Sequence, residues 1–333
     1  MFNKQLDFLA IGDITTDAFI RLQDANVHCD INKSRCEICM KFADKVPYES
    51  VSVIKAVGNS ANAAVSASRL GLRAGLITDI GNDQNGKDCL VELKRNKVNT
   101  KYIKIHKGAR TNYHYVMWYG DDRTILIKHE DYKYSLPNIP PPKWIYLSSI
   151  GEKSREYHIE ITKYLRKHPE VKLAFQPGTF QMKMGTETLK NIYNRTEVFV
   201  CNMEEAQRIL GAHKDDSNPR KLLSRLRALG PNIVLITDGP KGAYMYDGEA
   251  MYYHPMYPDP KPPYERTGAG DAFSSTFVSA LILGKNPKTA LSWGPINSMN
   301  VVQYIGAQEG LLTKKDLESL LSKAPQDYKI KRI

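Results

Sequence analysis

From Lys143 onward the chain alternates short apolar runs with stretches of helical period, and this alternation narrows the choice of fold more than any other feature. Residues 144–148, 172–175, 197–201 and 233–237 are brief runs rich in β-branched and aromatic side chains, which predicts strands. Residues 155–167, 203–211, 217–229, 271–283 and 287–304 repeat their apolar positions at helical spacing. Strand–helix–strand units of this kind join as right-handed crossovers, so the expected architecture is a doubly wound, mostly parallel sheet with helices on both faces.

The first half adds to that sheet and interrupts it. Residues 7–12 and 75–80 read as two further strands. Between them 58–71 predicts a helix with Ser60 as N-cap candidate, a small-residue face of Ala63, Ala64 and Ala67, and Gly71 as its stop. Residues 111–128 alternate around Gly120-Asp121-Asp122-Arg123, the pattern of a β-hairpin. An antiparallel pair has no place inside a parallel sheet built from crossovers, so it predicts a separate small sheet acting as a lid. Tyr113, Tyr115 and Tyr119 share one face there and are candidates to stack on a nucleobase or cover a sugar, packing being the simpler role. Residues 243–246 and 251–254 predict an edge hairpin, and 22–55 shows no clean period and reads as an irregular insertion. The expected organisation is one domain over 1–333, with a lid from about 18–55 and 101–135 and a core from about 1–17, 56–100 and 136–333.

With 42% hydrophobic and 25% charged residues among 333, the composition is that of a globular protein. No apolar run approaches the roughly 18 residues that would predict a membrane span. Phe8–Ile11, bracketed by Asp7 and Asp13, reads as a buried strand and not a leader, so no membrane partner and a cytoplasmic location are expected. The net charge of +11 favours anionic ligands, but the lysines are dispersed and no nucleic-acid-binding motif is present. Cys29, Cys36 and Cys39 cluster with a C-x-x-C spacing, yet five cysteines argue against a disulfide framework, His28 beside Cys29 is an awkward fourth zinc ligand, and no second C-x-x-C follows. Free thiols are the expectation there, with metal binding the alternative.

Chemistry concentrates where the predicted strands end. Thr267-Gly268-Ala269-Gly270-Asp271-Ala272-Phe273 runs a glycine loop into a helix start, a ready anion cradle of backbone amides. Asp271 within it is either a helix cap or a base that takes the proton of an attacking hydroxyl, and the stretch alone leaves both readings open. Asn202-Met203-Glu204-Glu205 follows a predicted strand, and its amide and carboxylates fit either a capped helix or a magnesium site. Asp17 lies just past the first strand, and Asn62 in the first turn of the next helix. Ligands of open α/β sheets bind beyond such strand ends. Gly81 to Asp88 nearly matches a phosphate-binding loop, but Asp88 stands where that loop needs a hydroxyl, and the match is rejected.

In this order the motifs resemble the ribokinase-like, or PfkB, carbohydrate kinases. Residues 267–273 are similar to the family's C-terminal signature, which implies Asp271 as catalytic base and Gly268, Ala269 and Gly270 as its anion hole. Asn202 and Glu205 resemble the ends of its N-x-x-E motif, implying nucleotide contact for Asn202 and a water-mediated magnesium contact for Glu205. The stretch 58–71 and Gly12-x-Ile-x-x-Asp17 resemble its acceptor-binding segments, implying Asp17, Gly58, Asn59 and Asn62 as acceptor ligands. Thr237, Gly239, Gly242, Thr267 and Asn297 fall where the family holds the nucleotide. Two positions depart from the pattern: Gly58-Asn59 replaces a glycine pair, and Glu265-Arg266 replaces Asp-Thr at the position that helps hold a monovalent cation. The resemblance implies ATP as donor, Mg²⁺, K⁺ at the Glu265 position, a sugar or nucleoside hydroxyl as acceptor, and a homodimer through the lid. A non-catalytic small-molecule binder on the same fold is the rival.

Overall fold

The computed structural model describes residues 5–23, 25–29, 36–120, 122–213 and 216–333. In chain order the first half holds β1 (Phe8–Ile11), β2 (Thr15–Leu22), β3 (Asn26–Cys29), β4 (Cys36–Cys39), β5 (Tyr48–Val57), α1 (Asn59–Arg69), β6 (Ala74–Ile77), β7 (Asp79–Gly81), α2 (Gln84–Arg95), β8 (Lys104–His106), β9 (Tyr113–Tyr119) and β10 (Asp122–Leu126). The second half holds β11 (Trp144–Leu147), α3 (Arg155–Lys167), β12 (Lys172–Phe175), α4 (Thr179–Met184), α5 (Lys190–Arg195), β13 (Val198–Asn202), α6 (Met203–Leu210), α7 (Pro219–Arg227), β14 (Ile233–Thr237), β15 (Ala243–Tyr246), β16 (Met251–His254), α8 (Ala269–Ile282), α9 (Pro287–Val301), α10 (Lys314–Ser322) and β17 (Lys331–Arg332).

A nine-stranded sheet in the order β17-β16-β15-β14-β13-β12-β11-β1-β6 is parallel from β14 to β6 and antiparallel beyond β14. Alternating side chains point to opposite faces of a strand, so each central strand feeds two cores. Phe8, Ala10, Tyr146, Ala174 and Val200 pack with Ala63, Phe273, Phe277 and Trp293 of α1, α8 and α9. Leu9, Ile11, Leu147, Phe175 and Phe199 pack with Ile161, Leu165, Ala206 and Leu222 of α3, α6 and α7. The parallel strands therefore read as unbroken apolar runs, as strands buried on both faces do. No helix among the described residues is long and apolar enough to cross a membrane.

A second, four-stranded sheet, β10-β9-β2-β5, stands apart from the first. Two segments differ from the expectation here. Thr15–Leu22 is a strand and not a turn, so Asp17 sits in the small sheet and not just past β1. Much of 22–55 is also regular: Tyr48–Val57 pairs antiparallel with β2, and β3 pairs with β4 as a hairpin of its own. That hairpin places Cys29 opposite Cys36, and the two form a disulfide, which corrects the expectation of free thiols at those positions. An odd cysteine count argues against a framework of bridges but says nothing about one cross-strand pair. Cys39 is a free thiol, and no cluster of three or more metal-ligating residues occurs among the described residues.

Helix α1 starts two residues earlier than it would if Ser60 capped it. Gly58, at φ 108°, is the N-cap, and Ser60 Oγ lies inside the helix, 2.6 Å from Ser148 Oγ. The rejected phosphate loop is closed on itself: Asp83 caps α2 through Gly86 N at 3.0 Å, and a Cβ on Gly81 would meet Ala109 O at 2.3 Å. The Gly86 amide is thus already taken by a carboxylate.

Candidate active site

The ends of the parallel strands and the inner face of the small sheet enclose a cavity of about 400 Å³. Strand ends and helix starts at its floor supply most of its polar chemistry. Helix α8 begins at Gly268, which has a φ of 81°. A Cβ there would lie 2.2 Å from Ala307 Cβ, so the position has no room for a side chain. No side chain caps this helix, so its first-turn amides are available to an anion at the cavity floor.

Asp271 lies in that first turn and is buried, and it is not the helix cap. Three amides hold it instead. Asn59 Nδ2 and Gln176 Nε2 donate to Oδ1 at 2.8 and 3.0 Å, and Asn62 Nδ2 donates to Oδ2 at 2.7 Å. Burial pushes its pKa up, and the amides from Asn62, Gln176 and Asn59 oppose that shift by bonding the charged form. Each amide is fixed in turn. Asn62 Oδ1 accepts from Gln308 Nε2 at 2.9 Å, and Gln176 Oε1 accepts from the Tyr146 hydroxyl. The result is an oriented carboxylate on a cavity wall beside an anion cradle.

Of the residues singled out in the sequence, Asp17, Gly58, Asn59, Asn62, Asn202, Glu205, Thr237, Thr267, Gly268, Gly270 and Asp271 all line this cavity. Ala269, Gly239, Gly242 and Asn297 do not. Asn297 is fully buried, with Nδ2 donating to Thr276 Oγ1 at 2.7 Å and Oδ1 accepting from Leu312 N at 2.9 Å, so its amide ties α9 to the fold and both its groups are engaged away from the cavity lining. A Cβ on Gly242 would meet His254 O at 2.3 Å, so close packing against the neighbouring strand accounts for that glycine. Asn202 and Glu205 form a reciprocal cap, Glu205 N to Asn202 Oδ1 at 2.8 Å and Asn202 N to Glu205 Oε2 at 2.9 Å. Burial pushes the Glu205 carboxyl up, and it remains an oxygen donor on the cavity wall.

The small sheet corrects one expectation. The face of β9 turned to the cavity carries His114, Val116 and Trp118, of which Val116 and Trp118 are buried, while Tyr115 and Tyr119 are exposed on the other face. The tyrosine face is thus turned away from any base held in the cavity, and His114 takes the inward position beside Asp17, Nδ1 to Oδ1 at 3.4 Å. His114, Arg123, His129, Gln176 and Phe180 also line the cavity and were missed.

Glu265 is 1% exposed. Its Oε1 accepts from Thr267 N at 2.8 Å and Thr267 Oγ1 at 2.5 Å, its Oε2 from Gly306 N at 3.2 Å, and Arg123 lies 3.6 Å from Oε1. With both oxygens engaged by protein donors and a guanidinium alongside, this position does not fit a K⁺ ion.

Comparison with known proteins bears on what this site is. A model of the pfkB family of carbohydrate kinases matches residues 24–314. The ribokinase of Bacillus subtilis (strain 168) is 29% identical over 272 residues, covering 80% of this chain and 87% of the relative. The 5-dehydro-2-deoxygluconokinase of the same organism is 25% identical, covering 82% and 89%. Among solved structures, Arabidopsis thaliana ribokinase complexed with ribose and ATP superposes with a TM-score of 0.77 at 19% identity, over 95% of this chain and 99% of that one. The chain belongs to the pfkB family of carbohydrate kinases and is a phosphotransferase with an alcohol group as acceptor.

Proposed function

We propose that the protein transfers the γ-phosphoryl group of ATP to a hydroxyl of a sugar bound between the small sheet and the strand ends. Asp271 takes the hydroxyl proton, the oxygen forms the new bond to phosphorus, and the bond from phosphorus to the bridging oxygen of ADP breaks. The first-turn amides at Gly268 and Gly270 hold the charge on the transferred group. The observation that carries this reading is the Asp271 carboxylate, buried beside an uncapped helix start and oriented by Asn59, Asn62 and Gln176 instead of capping its helix.

Asp17, Gly58, Asn59 and Asn62 bind the acceptor in this reading, and Asn202, Thr237 and Thr267 the nucleotide. Glu205 holds magnesium through its water shell, and the ion, when bound, offsets phosphate charge. With the β9 tyrosines facing outward, a sugar is favoured over a nucleoside. The small sheet serves as lid. Its outer face exposes Val51, Val53, Tyr115 and Leu126, at 45%, 49%, 48% and 52%, an apolar surface that suits a second copy of the chain.

The test is a coupled ADP-release screen over pentoses, hexoses, sugar acids and nucleosides with Mg·ATP. Turnover that depends on an added sugar is the expected result. ATP binding with no sugar-dependent turnover would overturn the sugar-kinase reading.

A further inference from the structure

Arg123, on the edge strand of the small sheet, reaches into the cavity wall, and none of the roles above uses it. Its side chain is 26% exposed, and its Nε is buried with no hydrogen-bond acceptor. The two nearest carboxylates, Glu265 and Asp122, each lie 3.6 Å away. Glu265 already accepts from Thr267 and Gly306, so it attracts the guanidinium by charge without taking its hydrogens. The same carboxylate thus anchors the first residue of the anion cradle and holds a cation with spare donors beside it. Asp271 feels that cation, which stabilises its ionised form. The buried Nε, turned to Glu265 at 3.6 Å, fixes where the guanidinium sits at the cavity wall, and an arginine fork matches the paired oxygens of a phosphoryl or carboxylate group.

Resting on the kinase reading above, we propose that Arg123 is an oxyanion-binding residue of this cavity. It donates to the oxygens of an anionic group lodged against residues 267–270. Two sources present that chemistry: the phosphoryl group in transfer, or an acidic substituent on the acceptor. A residue that merely neutralises Glu265 would do neither.

The test compares Arg123→Gln and Arg123→Lys with the wild type, using neutral sugars (ribose, fructose) and acidic ones (gluconate, fructose 6-phosphate). Binding of Mg·AMP-PNP and of Mg·ADP is measured by calorimetry, and melting temperature alongside. Loss of a charge-assisted pair predicts a drop of roughly 10- to 150-fold for Arg123→Gln. If the source is the transferred group, kcat falls for every acceptor and the preference for AMP-PNP over ADP is lost. If it is the acceptor, only the acidic sugars lose, through KM. In either case lysine, which keeps the charge but not the fork, restores less than about a third. The proposal is overturned if Arg123→Gln keeps all parameters within about twofold, or if Arg123→Lys restores activity and melting temperature together, the pattern of simple neutralisation. Absence of sugar-dependent turnover in the wild type would sink the kinase reading, and the AMP-PNP against ADP comparison would still decide whether Arg123 meets a γ-phosphoryl group.

Discussion

Replacing Asp271 by asparagine removes the proposed base while keeping nearly the same shape, and the surrounding bonds say what else it does. Oδ1 faces Asn59 Nδ2 and Gln176 Nε2, and Oδ2 faces Asn62 Nδ2, so wherever the new NH₂ points it meets a donor. Asn62 cannot turn over without taking from Gln308 Nε2 one of its two acceptors, the other being Ala56 O, and Gln176 is pinned by the Tyr146 hydroxyl. The less costly arrangement puts the NH₂ toward Asn59 and Gln176, with Asn59 flipping and Gln176 losing its acceptor. One unsatisfied buried donor costs about 1–3 kcal/mol, a drop of a few degrees in Tm. The loss of a general base is larger, about 10²–10⁴ in kcat, or about 2.7–5.5 kcal/mol. Coupled ADP release measured well below Tm separates the two effects. The pH profile provides a second check. Burial raises the Asp271 pKa above 3.8, and the base works only when ionised, so wild-type kcat declines as pH falls through that raised value. The Asn variant lacks this limb. Retention of more than about a third of the wild-type rate with a native-like Tm would refute the assignment of Asp271 as base.

Three further outcomes are expected. Glu205→Gln shifts the magnesium titration of activity upward while acceptor KM holds within about twofold, and an unchanged titration would take Glu205 out of the reaction. Asp17→Ala raises the acceptor KM at least about tenfold, about 1.4 kcal/mol, and leaves the ATP KM within about twofold; a purely structural Asp17 would lower Tm and leave both constants alone. Asp7 is held below its usual pKa of 3.8, first by bonds from Arg73 and then, against burial, by Lys143. A depressed carboxyl contributes stability that is complete above the unfolded pKa and is lost as pH falls through the folded one, so Asp7→Asn flattens the acid limb of the stability curve below about pH 4. Both partners are about half exposed, which limits the effect near neutral pH to about 1 kcal/mol. Equal acid limbs in urea-unfolding series would count against it.

What could be read in advance follows from where the information lies. β11, β12, β13 and β14 are local: each is an apolar run with polar flanks, and burial on both faces makes the run unbroken. The glycine loop before α8 is local too, since Gly268 needs a conformation that only glycine adopts there. Helices α4 and α5 went unseen because six residues span too little of a helical period to stand out. The hairpin β9–β10 failed for a different reason. Its existence was legible from alternation, but the identity of its inner face was not, because Tyr113, Tyr115 and Tyr119 on one side compete with His114, Val116 and Trp118 on the other. Only pairing with β2, which seats Asp17 opposite His114 and Phe19 opposite Val116, decides which set meets the cavity. The same dependence hides Gln176, which no motif marks. It reaches Asp271 because β12 lies in parallel register between β11 and β13 and ends at the cavity floor. The carboxylate that does the proposed chemistry is thus written in one contiguous stretch, whereas the groups that orient it come from strand and helix ends far apart in the chain. Their agreement is a property of register, and a one-residue slip in β12 would turn Gln176 to the opposite face while leaving every motif intact.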